Sequence, residues 1–518
     1  MVASNYNFIY QKFQISPKQS ITRTVTISVT KSVAVIGAGY AGMTAAALLS
    51  KYGFNVTVFE KNTLPGGRAA QLKIDGFTFD KGPSFYWMPD VFERFFNHFG
   101  KSTSDYYKLE RLNPGYKVFW KDIAPTSLPA NMEDCKQLFE SFESGAGLQL
   151  EKFLKEAGHK YATGMGKFVY LPSLSFTEYI DWDLIKASTQ LDLFVSISSH
   201  IKKYFSNPYL QQLLEFPVLF LGAKPSKTPA LYSMMNYADI ALGTWYPKGG
   251  MYEVSKALFN LGVDYGVKYV FNSAVSSIEP VSKKISLRFN QHHSENFDIV
   301  VSGADYHHTD SQLVDPANAS YSASFWEKKT LAPSALLYFM GFDCIIPNLE
   351  HHSLFFDASF DMHAKEIYDH PSWPSDPLFY TNSSSLTDPD CAPPGYHNMV
   401  ALIPVSTEIA ETDSIKEKYL EIILSRLSKH TGIDCKKHLI LVKSYAHQDY
   451  ISDYNSFKGN AYGLANTLMQ TGPLRPKIRS KKIPNLFYCG QLTVPGPGLP
   501  PSIISGEIVA NYINKEFH

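Results

Sequence analysis

The chain has 518 residues, with 48 Lys plus Arg set against 48 Asp plus Glu. It is therefore too long for one ordinary core and has no charge excess that would draw it to nucleic acid or pull it strongly toward anionic lipid. Its five cysteines, Cys135, Cys344, Cys391, Cys435 and Cys489, are far apart with no CxxC pair, which argues against a disulfide or zinc framework and suits a reducing compartment.

Residues 1–31 contain no Asp or Glu, are rich in Ser and Thr and carry Lys12, Lys18, Arg23 and Lys31; they read as a flexible leader, with a targeting segment as the alternative. Val33 to Gly37 (VAVIG) has the unbroken apolar character of a buried parallel strand. A helix from Ala41 to Tyr52 and a second strand from Asn55 to Glu60 complete a βαβ unit. Between the first strand and the helix lies GAGYAG, with Gly37, Gly39 and Gly42 separated by Ala38, Tyr40 and Ala41. The first glycine permits a tight turn, the second lets backbone approach a pyrophosphate, and the third lets the helix pack closely, while the helix N-terminus supplies unpaired N–H donors. Glu60 stands 18 positions after Gly42, where a carboxylate accepts from both ribose hydroxyls and repels a 2′-phosphate, so NADP is disfavoured as the tightly held cofactor. Lys61, beside it, is placed in the same site.

From about Asp105 to Trp245 the chain is expected to be aromatic and helical, forming a substrate lobe. Pro247 to Met251 (PKGGM) then opens a helix to about Tyr265, and Val267 to Glu279 reads as strand, turn and strand. Asp298 to Ala304 is another buried strand, and Ser414 to His430 is an amphipathic helix within a mixed region. Asn485 to Gly490 is a last strand, followed by a Gly/Pro loop and a helix from Ser502 to Tyr512. No run reaches the roughly 18 to 20 apolar residues of a membrane-spanning helix. Leu213 to Ala223 comes nearest and is interrupted by Glu215 and Pro217.

The order predicts an α/β protein. A Rossmann-like domain with a parallel sheet would be assembled from the discontinuous segments 32–125, 247–310 and 480–518. A mixed α+β substrate domain, with a helical membrane-facing part, would take 126–246 and 311–479.

Pro65, Gly66, Gly67 and Arg68 in EKNTLPGGRA resemble the second fingerprint of the glutathione-reductase-like flavoproteins. That resemblance implies FAD, with the two glycines passing over the ribityl and phosphate region and the Arg facing the pyrophosphate or flavin. Three segments, FTFDKGPSFYWMPDVFERFF from Phe77 to Phe96, PKGGM, and NAYGLANTLMQTGPLRPKIRSKKIPNLFYCGQLTVPGPGLPPSIISG, are similar to the carotenoid desaturase and isomerase family, and specifically to its bacterial phytoene desaturases. The similarity implies that Gly82 and Pro83 lie near the isoalloxazine ring, that Asp80 is either an electrostatic partner or a structural residue, and that Gly490, Gln491 and Gly498 close a loop around the flavin. Gln491 stands where many relatives have an acid, so only the backbone role of Gly490 carries over. Val275 resembles the position that touches adenine through its main chain, with a plain strand residue as the alternative.

The family reading implies desaturation of phytoene toward lycopene-type products, by hydride transfer to flavin and loss of a proton from the adjacent carbon. No residue is assigned as proton acceptor. The implied partners are a carotenoid, a membrane surface reached peripherally from the cytoplasm, and quinone or oxygen as electron acceptor, with no nucleic acid. A carotenoid isomerase, a hydroxycarotenoid 3,4-desaturase, a retinol saturase, an amine oxidase and a flavin-free prenyl-binding protein remain alternatives. The pairs His292/His293, His307/His308 and His351/His352 lack metal-site spacing, so no metal is expected. The aromatic middle suits a polyene tunnel and a packed core equally.

Overall fold

A computed structural model describes residues 30–179, 192, 194–219, 222, 224–289 and 293–518. The leader up to residue 29, His292 and parts of the aromatic runs FVYLPSLSFTEYIDW and LLEFPVLFLG lie outside the described residues.

Five short apolar strands form a parallel sheet in the order Leu486–Tyr488, Ile299–Ser302, Ser32–Ile36, Asn55–Phe59 and Lys268–Val270. Alternation within the strands decides which layer each side chain joins. Val33, Val35, Val56 and Val58 pack with the helical side, whereas Ala34, Ile36 and Phe59 face a core shared with Ile278 and Leu287 of a three-stranded antiparallel sheet. On the helical side, Tyr40–Lys51 is rich in alanine and meets Leu499–Phe517 closely. A Cβ added at Gly506 would stand 2.4 Å from the Ala41 carbonyl oxygen, so glycine there sets the helix spacing.

A second, seven-stranded sheet runs Leu439–Tyr445, Ser334–Phe342, His397–Val405, Phe379–Asn382, His352–Phe356, Tyr116–Trp120 and Thr126–Leu128. Its helix Asp413–Thr431 buries Tyr419, Ile423, Leu424 and Leu427. That helix starts where Thr412 accepts from the Ile415 amide and stops at Gly432, whose φ of +78° closes it.

Two expectations differ from the structure. The stretch expected to be helical from Asp105 opens with strands Leu109–Arg111, Tyr116–Trp120 and Thr126–Leu128 before the helices Met132–Phe142, Ala146–Thr163 and Pro208–Leu219. Tyr116–Trp120 pairs in parallel with His352–Phe356, with Lys117 opposite Ser353, and a partner so distant in sequence leaves no local trace. The closing helix runs Leu499–Phe517 rather than Ser502 to Tyr512. Pro500 and Pro501 read as loop, yet proline is tolerated in a first helical turn, where its missing N–H is not needed. All five cysteines are free. Among the described residues no helix is long and apolar enough to cross a membrane.

Candidate functional site

The parallel sheet reverses its order beside the central strand Ser32–Ile36, and a cleft opens there at the carboxyl ends of the strands. Gly37 turns the chain out of the strand with φ +94°, and Gly39 immediately precedes the helix Tyr40–Lys51. A Cβ at Gly42 would lie 2.1 Å from the Gly37 carbonyl oxygen, so no larger residue fits beneath the turn. A Cβ at Gly39 would meet no heavy atom within 4 Å, so its backbone faces open space in the cleft.

Glu60 ends the second strand and is only 6% exposed. Its carboxylate accepts from the Ala38 amide at 2.7 Å and from the Asn62 amide at 2.9 Å, one donor on each oxygen. These charge-assisted bonds offset burial of the charge and leave lone pairs for further donors. The second fingerprint docks directly on the first: the Gly66 amide donates to the Ala38 carbonyl at 2.8 Å, and a Cβ on Gly67, where φ is +56°, would be 3.3 Å from the Gly39 Cα.

Of the residues expected to bind cofactor, Gly37, Gly39, Tyr40, Ala41, Glu60, Lys61, Gly66, Gly67, Arg68, Val275, Gly490 and Gln491 line this one cleft. The Tyr40 ring is buried, and its hydroxyl donates to the Met251 carbonyl at 3.2 Å. Arg68 donates to Ser456 Oγ at 2.7 Å, while its buried Nε has no partner among the described residues. Lys61 donates to the Ser452 carbonyl at 2.6 Å, and burial lowers its pKa. Gly490 (φ +109°) donates to Ser505 Oγ at 2.9 Å, and Gln491 Nε2 donates to Asn460 Oδ1 at 2.9 Å.

Ala38, Gly42, Gly82, Pro83 and Gly498 are not among the residues that line the cleft. Gly82 backs against the Arg68 carbonyl, where a Cβ would come within 2.4 Å, and Gly498 (φ +117°) leads into the last helix. Asp80 accepts from the Met251 and Tyr252 amides at 2.8 and 3.3 Å and so caps the helix Tyr252–Asp264. Burial raises its pKa to about 7 against the pull of those amides.

Sequence reasoning missed Asp305, His308, Asp453, Tyr454, Asn455 and Ser502, which also line the cleft. Asp305 follows the strand Ile299–Ser302 at its carboxyl end, a signal that was available. It accepts from the His308 and Phe457 amides at 3.1 and 3.2 Å, and burial raises its pKa, with Arg68 opposing. Burial, with Lys61 and His307 nearby, takes His308 down to about 4. Asp453 pairs with Lys81 at 2.7 Å and arrives on the helix His447–Tyr454, which carries no local nucleotide signature.

Behind Asp80 and Gly82 lies an aromatic interior. Phe85 stacks on His352 at 4.0 Å and packs with Trp87, Tyr116, Phe216 and Tyr380. Trp87 Nε1 donates to Thr244 Oγ1 at 2.8 Å, and Asp239 accepts from Thr244 at 3.1 Å and Tyr116 at 2.9 Å. Burial raises the Asp239 pKa to about 7, with both hydroxyls opposing.

A glycine turn at a helix N-terminus, a buried acid ending the next strand and a glycine pair folded back onto the turn together define a dinucleotide-binding oxidoreductase. The open space over Gly39 and the partnerless Arg68 Nε fit a diphosphate.

The comparisons identify the kind. The chain belongs to the flavin-containing amine oxidoreductase family, whose model matches residues 40–514, and within it to the carotenoid desaturases. It is an FAD-dependent oxidoreductase acting on CH–CH bonds. It is 39% identical to a carotenoid 3,4-desaturase of Haloarcula japonica, over 94% of this chain and 98% of the relative. It is 28% identical to a zeta-carotene-forming phytoene desaturase of Myxococcus xanthus, over 94% and 95% of the two chains. An oxidoreductase from Methanosarcina mazei shares the fold with a TM-score of 0.61 at 19% identity, covering 93% of this chain and all of that one. A putrescine oxidase does so with 0.63 at 13% identity, covering 94% and 99%.

Proposed function

We propose that this protein introduces a double bond into a long acyclic carotenoid, with the 3,4 bond favoured over the phytoene-to-lycopene series. The observation that carries the choice is the 39% identity to a carotenoid 3,4-desaturase across nearly the whole of both chains, against 28% for the phytoene desaturases of Myxococcus xanthus and Phycomyces blakesleeanus. Phytoene desaturation is the second reading, supported by the motif resemblance.

Bound FAD supplies the acceptor for a hydride from an allylic carbon. In the turn from Gly37 to Gly42 the Gly37 and Ala38 amides are held by Phe59 and Glu60, so Gly39, Tyr40 and Ala41 would offer the backbone donors to the diphosphate, and Glu60 would take the ribose hydroxyls. Gly66, Gly67 and Arg68 would cover the phosphates and ribityl chain, with Lys61 beside the ribose. Val275 would meet the adenine through its main chain, and Gly490 and Gln491, with Gly498 at the start of the last helix, would close the far side. Asp80 ties the strand Phe77–Asp80, which leads into Gly82 and Pro83, to the start of the helix Tyr252–Asp264. The aromatic interior positions a polyene and keeps water from it.

An apolar substrate of this size resides in lipid, so the protein docks peripherally on a bilayer and passes its electrons to quinone or oxygen. The exposed Phe176, Phe194 and Met469 suit such docking. The test is a product chromatogram after incubation with liposomes loaded either with phytoene or with a hydroxylated acyclic carotenoid. A new double bond in the second and none in phytoene supports the 3,4 assignment, coloured products from phytoene reverse the order, and an unchanged pigment in both removes the reading.

A further inference from the structure

We propose that Ser84, Tyr380 and His352 form a proton relay that takes the proton lost by the substrate into a buried imidazole. The inference rests on the desaturase reading above and names the proton acceptor which that reading lacks.

Ser84 Oγ lies 2.7 Å from the Tyr380 hydroxyl, and the same hydroxyl lies 2.7 Å from His352 Nδ1. Exposure falls along the chain of groups: Ser84 is partly exposed, Tyr380 is 7% exposed and His352 is fully buried. The open end adjoins Gly82 and Pro83 in sequence, and Gly82 leans on the carbonyl of Arg68, which lines the cleft.

His352 is held differently from His363, His397 and His447, and shares its one-ended bonding with the neighbouring His351, whose Nδ1 meets the Thr387 hydroxyl at 2.7 Å and whose Nε2 has no partner among the described residues. His363 accepts the Leu378 amide on one nitrogen and bonds the Pro404 carbonyl with the other. His397 likewise uses one nitrogen for the Ile346 amide and one for Ser383, and His447 contacts Glu411 and Ser406. These rings serve as two-ended braces. The His352 ring stacks on Phe85, but its one hydrogen bond among the described residues is to Tyr380, its buried Nε2 having no partner there. Of His351 and His352, it is His352 that ends the hydroxyl chain starting at Ser84. Burial, and secondarily the neighbouring His351, hold its pKa well below the usual imidazole range, so the resting ring is neutral with a lone pair free to accept, and a proton taken up there is readily given back along the chain.

The step balances as follows. When the hydride leaves one carbon with its electron pair, the C–H bond on the adjacent carbon becomes strongly acidic, and a weak base suffices to take its proton. That proton passes to Ser84 Oγ, the Ser84 hydroxyl proton to Tyr380, and the Tyr380 proton to His352 Nδ1. The C–H electron pair becomes the second bond of the new double bond. After product leaves, the same shift in reverse delivers the proton to water at Ser84 and restores every group.

Full-length FAD-loaded protein and the variants Ser84→Ala, Tyr380→Phe and His352→Gln test the relay. Histidine-labelled 15N spectra, with His352 assigned from the signal lost in His352→Gln, should show an unprotonated Nδ1 accepting a hydrogen bond, and Tyr380→Phe should change that signature. Anaerobic bleaching of the flavin by carotenoid in liposomes should slow about 100-fold in each variant at saturating substrate, with KM and FAD content unchanged. Ser84 is partly exposed, so its alanine variant keeps the test meaningful if the buried substitutions fail to fold. A protonated Nδ1 in the wild type, or bleaching by Ser84→Ala at the wild-type rate, overturns the relay alone. Wild-type protein that no carotenoid bleaches removes the desaturase reading and the relay with it.

Discussion

The cofactor cleft and the aromatic interior behind it are built from different materials. The cleft is shaped by main chain: a turn at Gly37, open space at Gly39, a contact at Gly42 that admits no side chain, and a carboxylate held by two amides. The interior is shaped by side chains from distant segments, such as Phe85 on His352 and Tyr116 on Asp239. A main-chain site is specified by the few residues that allow the backbone its path, so it depends steeply on each. A side-chain site spreads its requirements over many contacts and tunes chemistry through burial, as the raised pKa of Asp239 and the lowered pKa of His352 illustrate.

If that contrast holds, the largest effect comes from adding one methyl group to the cleft. Gly42→Ala places a Cβ 2.1 Å from a backbone oxygen that cannot step aside. Overpacking of this kind costs about 3 kcal/mol, and FAD retention, read from the flavin absorbance of protein at equal concentration, should fall roughly 100-fold. Yellow, fully loaded Gly42→Ala protein would break the comparison. Next in size is Glu60→Ala, which strands the Ala38 and Asn62 amides. A loss of about 2 kcal/mol, roughly 30-fold in FAD affinity by titration of the apoprotein, is expected, with Glu60→Gln in between because its carbonyl oxygen still accepts.

The interior answers to pH instead. Asp239 titrates at about 7 in the folded protein against its ordinary value of 3.8, so folding takes up a proton between those values. Stability from this group is therefore present below about pH 4 and declines as pH rises toward 7. Asp80 has the same direction and window. Asp239→Asn should flatten the fall in Tm between pH 5 and 7.5, by on the order of 2 kcal/mol, while the unmatched amide N–H groups lower Tm equally at every pH. A slope identical to wild type would mean that burial does not tune this carboxylate.

The same contrast explains what could be read in advance. Gly37, Gly39, Gly42 and Glu60 announce a βαβ nucleotide site because turn, approach, packing and ribose contact each demand one residue type at one spacing. Gly66 to Arg68 identified FAD only through resemblance, since their docking onto Ala38 and Gly39 joins segments that no periodicity connects. Asp453, Tyr454 and Asn455 were illegible because their place in the cleft depends on how the helix His447–Tyr454 is carried by the seven-stranded sheet. Asp80 was legible as a residue but not as a cap, because the amides it holds lie at Met251 and Tyr252. The strand Tyr116–Trp120 was hidden for the same reason, its partner being His352–Phe356.

The smallest expected change in stability tests where the aromatic region meets its surroundings. Phe194, Phe176 and Met469 are 91%, 61% and 71% exposed. The segments of Phe176 and Met469 are laced together: Lys477 Nζ donates to the Ser173 carbonyl at 2.8 Å, and a Cβ at Gly472 would stand 2.9 Å from the Tyr179 hydroxyl. A ring that stays in water gains nothing from folding, so Phe194→Ser should move Tm by less than about 0.5 kcal/mol equivalent. If the ring instead enters lipid, its loss weakens partitioning by about 1 kcal/mol, roughly fivefold in co-sedimentation with uncharged liposomes. The chain has no net charge, so the binding should change little with salt. Equal pelleting of Phe194→Ser and wild type would place the docking surface elsewhere, while a loss of pelleting at unchanged Tm would mark these aromatics as serving the membrane rather than the core.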